Sequence, residues 1–344
     1  MEKLNEDFII NLSNNKNEPL WMKNFRLNSY KKFLELDNPS FGPKINIDFD
    51  NLVYHKGLFA PPSCSWENVD KKVKNTFNDL GVIEAENKYL KGVSNQYESE
   101  VVYHKMEESD GIIFLSSDEA LKKYPELFEK YFNNLVKYDE NKYTALNGAL
   151  WSGGSFIYIP PYTKVDRPLQ SYFRIDTKNL GQFERTIIIV DHDSSLHYIE
   201  GCTAKNYSTT SLHAGVVEIY VGKNSSCKYS TIQNWSKDVY NLVTKRAILE
   251  EGAYMQWVDG NIGSGVTMKY PSCILKGDNS KASSISIAYA KEGQHLDAGA
   301  KMIHLGKNTK STIISKSIAG FGGTSDYRGT VKIAKDATGS FATI

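Results

Sequence analysis

Apolar and polar positions fall into two textures along the chain. Up to about residue 150 the spacing is largely helical. In "EPLWMKNFRLNSYKKFLEL", Trp21, Phe25, Phe33 and Leu36 recur at intervals that fit one helix face, with Pro19 at the first turn. "SWENVDKKVKNTFNDLG" reads as a helix capped by Ser65 and stopped by Gly81. Two more helices are predicted from Ser117 in "SSDEALKKY" and from Pro125 in "PELFEKYFNNLV". "ESEVVYHKM" and "GIIFLS" read as short strands, so residues 1–152 are predicted to be a mixed, mainly helical region.

From residue 153 to 344 the helical spacing stops and short β-rich runs take over, among them "GSFIYIP", "LQSYFRID", "FERTIIIVD", "SLHYIEG", "HAGVVEIYVG" and "CKYSTIQNW". Turn clusters separate them: "DHDSS", "KNYS", "GKNSS", "SKD", "EEG", "GDNS", "KEG", "GKN", "FGG" and "KDATG". Most recur at about 14 or 15 residues, with a break in the beat around "GNIGSG". Regular spacing with little residue identity predicts a solenoid of stacked strands, two turns and about 28 to 30 residues per coil. A β-sandwich also gives many short strands, but its turns need not keep a beat.

The run "SSLHYIEGCTA" sets a chemical question within that frame. Its alternation carries Leu196, Tyr198 and Ile199, stops at Glu200 and Gly201, and delivers Cys202 to the end of a strand. Arg174 lies 28 residues before Cys202 and Gln233 lies 31 after it. One coil length apart, the three are predicted to occupy equivalent places on neighbouring rungs, and Lys245, half a coil beyond Gln233, to sit on a facing sheet. A thiol beside guanidinium and ammonium groups is biased toward thiolate, the nucleophilic and metal-binding form. The competing reading makes Cys202 a small packed hydrophobe, Arg174 a paired surface arginine and Lys245 a solvated edge residue.

Charge and composition remove several function classes. With 41 basic and 40 acidic residues, the chain has no electrostatic footprint for nucleic acid or an anionic membrane. The N-terminus has acidic residues early and no run of signal-peptide length, and no window reaches a membrane span, so a cytoplasmic location is expected. Cys64, Cys202, Cys227 and Cys273 form no CxxC pair, which in a reducing compartment predicts free thiols. "GKNTKS" lacks the upstream glycine of a phosphate loop and reads as a turn. His192, His197, His295 and His304 are expected to be structural.

Longer motifs then carry a resemblance. "ALNGALWSGGSFIYIP", "SYFRIDTKNLGQFERTIIIVD", "YIEGCTA", "YSTIQNW", "NLVTKR", "KYPSCILKGDNS" and "AKMIHLGKNTKSTIISKSI" closely resemble the SufB/SufD family of the SUF iron–sulfur cluster assembly system, in particular its SufB scaffold branch. "PLWMKNFRL" and "KYLKGVSNQYESEVVYHKM" extend the resemblance over nearly the whole chain. It implies a right-handed parallel β-helix core behind a helical N-terminal region, and a scaffold with a reactive thiol rather than an enzyme. It maps the sulfur acceptor, and a candidate ligand of a transient iron–sulfur cluster, to Cys202. It maps a polar transfer path to Arg174, Gln233, Trp235 and Lys245. Asp176 stands where the family commonly has asparagine, which weakens the positive field expected there.

The implied partners are SufD or a second SufB copy, the SufC ATPase, and a cysteine desulfurase with its sulfur relay protein. The family normally continues past "GSFATI" through another cysteine and an acidic-histidine segment into helices that dock SufC. Weak SufC binding and self-association through the last rung are therefore expected of residues 1–344. A SufD-like partner without sulfur chemistry is the alternative within the family. A carbohydrate-acting β-helix enzyme is the alternative outside it, disfavoured because no secretory signal or exposed acidic cluster is evident.

Overall fold

The computed structural model describes residues 3–107, 111–206 and 210–344. Its dominant feature is a parallel β-solenoid of about 6 turns. One sheet stacks Leu169–Ile175, Ser195–Ala204, Ser226–Asn234, Tyr254–Asn261, Lys281–Ala290 and Lys310–Ala319, each parallel to the next. The facing sheet runs through Arg185–Val190, Val216–Val221 and Val239–Leu249 to Ser272–Leu275, His295–His304 and Thr324–Ile333, again parallel. Sandwich sheets are antiparallel, so this pairing excludes the sandwich. "GSFATI" supplies a last short strand, Phe341–Thr343, on Lys310–Thr312.

The turn clusters form the corners of the coil. Asp193, Asn224, Gly252, Asn279, Asn308 and Gly339 all have positive φ and recur every 27 to 31 residues. These types tolerate the left-handed region because their side chains are short and locally hydrogen-bonding, or absent. Asp193, Asn224, Gly252, Asn279 and Asn308 each donate the backbone N–H one coil onward, as Asn224 does to Glu251 O and Asn308 to Thr338 O. In "KNYS", Tyr207 and Ser208 lie outside the described residues. The irregular "GNIGSG" segment is a real break. There Gly263 runs so close to the Trp235 backbone that a Cβ would collide with it.

Strand alternation sends every second side chain inward. Toward one end of the coil those side chains are apolar: Ile188, Val190, Leu196, Ile219, Val221, Leu249, Met255 and Leu275 are buried in one cluster with Cys227 and Cys273. Full burial of each large aliphatic side chain stabilises by roughly 1.5–3 kcal/mol. Toward the other end, the inward side chains are polar and equally buried. That division places the site.

The N-terminal region caps and clasps this core. Pro19 precedes the helix Leu20–Glu35, and Ser116 and Tyr124 precede the helices Ser117–Lys123 and Pro125–Tyr131. "SWENVDKKVKNTFNDLG" is broken where one helix was predicted: a short turn of 3-10 helix follows Ser65, and Asp70 caps a separate helix, Lys71–Asp79. Asp70 accepts from the backbone of Lys72 and Val73, a stronger start than Ser65 provides. The strands join the solenoid. Gly92–Tyr97 pairs in parallel with Leu169–Arg174, and Ile113–Ser116 pairs antiparallel with Ser155–Tyr158.

Three helices were not predicted from the sequence, Glu6–Asn15, Val82–Tyr89 and Lys142–Leu150. Every residue of the last from Tyr143 to Leu150 is buried, so it has no polar face and no helical periodicity to detect. From it, Asn147 donates to the carbonyls of Glu184 and Ala214, fixing it against the polar end of the solenoid.

Candidate functional site

The strand Ser195–Ala204 turns Leu196, Tyr198, Glu200 and Cys202 inward, so its alternation continues through the point where the sequence appeared to lose it. One coil on, Thr231 lies beside Glu200 and Gln233 beside Cys202. A further coil adds Asp259 and Asn261. From the facing sheet come Gln182, His213, Asn241 and Thr267, in register on successive rungs, together with Lys245 and Lys269. All are buried. Together they form a polar column along the solenoid axis.

Glu200 is the hub. Its carboxylate accepts from Lys245 Nζ at 3.0 Å, Thr231 Oγ1 at 3.2 Å, Gln233 Nε2 at 3.4 Å and the Tyr229 hydroxyl. The Cys202 thiol donates to the same Oε1 at 3.6 Å. Burial alone would raise this carboxyl, but the Lys245 ammonium and the Tyr229 and Lys245 hydrogen bonds hold it below the usual range. One coil along, Lys269 Nζ pairs with Asp259 at 2.9 Å. Asn241 donates to Gln233 Oε1 at 2.5 Å and so joins the facing sheet to the Glu200 network.

Beside Cys202 the packing is apolar. Trp235 packs in one cluster with Phe173, Ile175, Leu180 and Cys202, and its ring lies 4.7 Å from that of His213. Burial keeps the His213 imidazole neutral, lowering it to about 3. Glu184 is pushed the other way, upward, by burial and by the nearby Glu200 charge. Among the described residues, no three His, Cys, Asp or Glu side chains come together as a metal site.

With this geometry in view, the comparisons with known proteins agree. Residues 173–344 match the SUF system FeS cluster assembly SufBD core domain, and residues 67–171 match the SufBD protein N-terminal region. The iron-sulfur cluster assembly protein SufB of Bacillus subtilis is 52% identical over 99% of this chain and 74% of its own length. SufBD family proteins of Staphylococcus saprophyticus and Staphylococcus aureus are 52% and 53% identical over the same shares. The chain belongs to the SufB/SufD family.

Of the residues that the SufB/SufD resemblance singles out, Cys202, Gln233, Trp235 and Lys245 come together. Arg174 does not. Cys202 pairs with Phe173, whereas Arg174 pairs with Thr203, one residue out of step. A shift of one residue reverses the face of a strand, so the Arg174 side chain leaves the interior and bonds Asp176 at 2.6 Å and Thr203 at 3.1 Å. Asp176, further held by the Tyr97 hydroxyl at 3.1 Å, neutralises the guanidinium there.

The expected thiolate is also corrected. Cys202 is pushed well above the ordinary thiol value, first by burial and then by the Glu200 charge, while Lys245 and Lys269 offset only part of this. The resting sulfur is a protonated thiol. Cys227 and Cys273 are pushed up to about 12 by burial, in keeping with packing, and Cys64 is exposed. Iodoacetamide at neutral pH is therefore expected to label Cys64 first. An opening free energy of about 3 kcal/mol slows the three buried thiols by roughly 100-fold, and peptide mass spectrometry over a labelling time course checks the order. His197 and His304 meet serine and threonine hydroxyls, as structural histidines do. Among the described residues no helix is long and apolar enough to cross a membrane.

Proposed function

We propose that this chain is a scaffold for iron–sulfur cluster assembly on which Cys202 accepts sulfur from a persulfide donor. The observation that carries the reading is the placement of one thiol within a buried column of ion pairs, amides and hydroxyls that continues along the solenoid axis. An apolar core excludes anionic sulfur, whereas Gln233, Lys245 and Lys269 offer it donors.

In the transfer, the Cys202 sulfur attacks the outer sulfur of the donor's R–S–SH. The S–S bond breaks, the donor leaves as R–SH after taking up the proton Cys202 gives up, and Cys202–S–SH forms. No net oxidation occurs. Because the resting thiol is protonated, the step needs a movement that lets the donor reach Cys202 and take its proton. Lys245, Gln233 and Trp235 then line the path beyond Cys202. Iron is cargo in this scheme, and a transient cluster is its product. The supporting partners are those of a SUF complex: SufC, SufD or a second copy of the chain, and a desulfurase with its relay protein. A cytoplasmic location fits this chemistry.

The test is persulfide trapping after incubation with a cysteine desulfurase and cysteine, with mass spectrometry of each cysteine peptide. Modification is expected at Cys202 and to disappear in Cys202→Ser. Labelling of Cys227 or Cys273 with Cys202 silent would overturn the assignment.

A further inference from the structure

Behind the Trp235 ring that packs with Cys202, and within the field of Glu200, buried hydrogen-bonding capacity is left unused. Among the described residues, Glu184 Oε1, Gln182 Oε1, Asn241 Oδ1 and both ring nitrogens of His213 have no hydrogen-bond partner, although each of these residues is about 1 % exposed or less. Buried polar atoms almost always find partners, so a group of orphans points to a missing one. The amide orientations are set by their other bonds. The Gln182 NH2 is spent on the Glu98 carbonyl at 2.5 Å, and the Asn241 NH2 on Gln233 Oε1, so oxygens are left over in both.

Register sets three of these residues on adjacent rungs. Gln182, His213 and Asn241 are direct neighbours on three successive rungs, and Glu184 Oε1 lies 3.9 Å from His213 Nε2. Thr186 donates to the other Glu184 oxygen at 3.1 Å, which aims Oε1 at the imidazole. Gly215 keeps that position open, because a Cβ there would collide with Glu184 Oε1 and come within 3.2 Å of His213 Nε2. The unused set is three oxygens, one from a carboxyl group, and a neutral imidazole. Oxygen and imidazole donors without thiolate suit a first-row divalent cation.

We infer that Glu184 and His213, assisted by the amide oxygens of Gln182 and Asn241, form a binding site for a divalent first-row cation, with ferrous iron as the cargo, on the wall beside Cys202. Two of its four residues are amides, so it contains only two of the commonest metal-ligating side chains. Two ligands at about 2.1 Å from one ion stand roughly 3.0–3.4 Å apart, so the Glu184–His213 gap closes by about half an ångström on binding. The site would hold iron near the sulfur acceptor before the two meet. Only the choice of iron rests on the assembly reading. The cation site itself requires no sulfur chemistry.

The test uses Co²⁺ as an anaerobic spectroscopic probe of the whole chain. One equivalent is expected to bind with weak visible d–d bands and without the intense ultraviolet charge transfer of a thiolate ligand, in wild type and in Cys202→Ser alike. Glu184→Gln and His213→Gln are each expected to weaken binding by at least about tenfold, the scale of even outer-shell losses. If either variant fails to fold, 15N-histidine spectra of the wild-type chain decide, since Co²⁺ must shift or broaden the His213 ring signals. Folded wild type that takes up no Co²⁺, binding that survives both substitutions, or binding that leaves His213 unperturbed each overturns the site. Persulfide on Cys202 is measured separately, so loss of one result leaves the other standing.

Discussion

Lys245→Met is expected to destabilise the fold by about 3–5 kcal/mol at neutral pH, the usual cost of stranding one member of a buried ion pair. Lys245 and Glu200 are both 1 % exposed and 3.0 Å apart. Without the ammonium, burial dominates and the folded-state Glu200 value rises above the ordinary one. The deficit is then largest at neutral pH and shrinks as acid protonates the carboxyl. In the wild type the folded value is depressed, so the Glu200 contribution is complete above the ordinary glutamate value and is lost only as pH falls below it. Urea unfolding of both forms at pH 7.5 and 5.5 is therefore expected to show a gap that narrows on acidification. Glu200→Gln combined with Lys245→Met, which removes both charges, is expected to recover most of the loss. A gap that widens toward pH 5.5 would contradict the stranded-carboxylate account.

Glu218→Ala is expected to cost a similar 3–5 kcal/mol for a different reason. Glu218 and Arg185 are fully buried and 2.7 Å apart. Glu218 also accepts from the backbone N–H groups of Asn133, Leu135 and Val136 at 3.0, 2.7 and 3.0 Å. One carboxylate thus fastens the segment after the Pro125–Tyr131 helix to the solenoid wall. Its removal strands Arg185 and three amides together. Hydrogen exchange in Glu218→Ala is expected to lose protection first across residues 133–150, with the far coils at Lys281–Ile333 protected for longer. Uniform loss across the chain would show that the clasp and the solenoid unfold as one unit.

Much of this molecule is legible in the chain alone because a solenoid writes its geometry locally. Corner residues that must adopt positive φ have to be Asn, Asp or Gly at nearly every pass, so the turn beat between Asp193 and Gly339 survives in the sequence. Strand alternation likewise marks Leu196, Tyr198, Glu200 and Cys202 as one face, and a 31-residue step sets Thr231 and Gln233 beside the last two. Glu200 was therefore within reach of the same arithmetic that selected Gln233. Arg174 was misplaced because coil lengths vary by a few residues, and an error of one residue reverses a strand face.

What the sequence by itself determined is the coiled β architecture, the free thiols and the presence of Cys202, Gln233, Trp235 and Lys245 at inward positions. Tertiary structure alone decided their chemistry. Lys245 reaches Glu200 across the interior, 45 positions away in the chain, and burial there turns an expected thiolate into a thiol. His213 and Glu184 face each other only because Gly215 leaves the space. Local periodicity is carried by neighbouring residues, whereas desolvation and charge pairing depend on which distant side chains close over the same volume, and no local pattern records that.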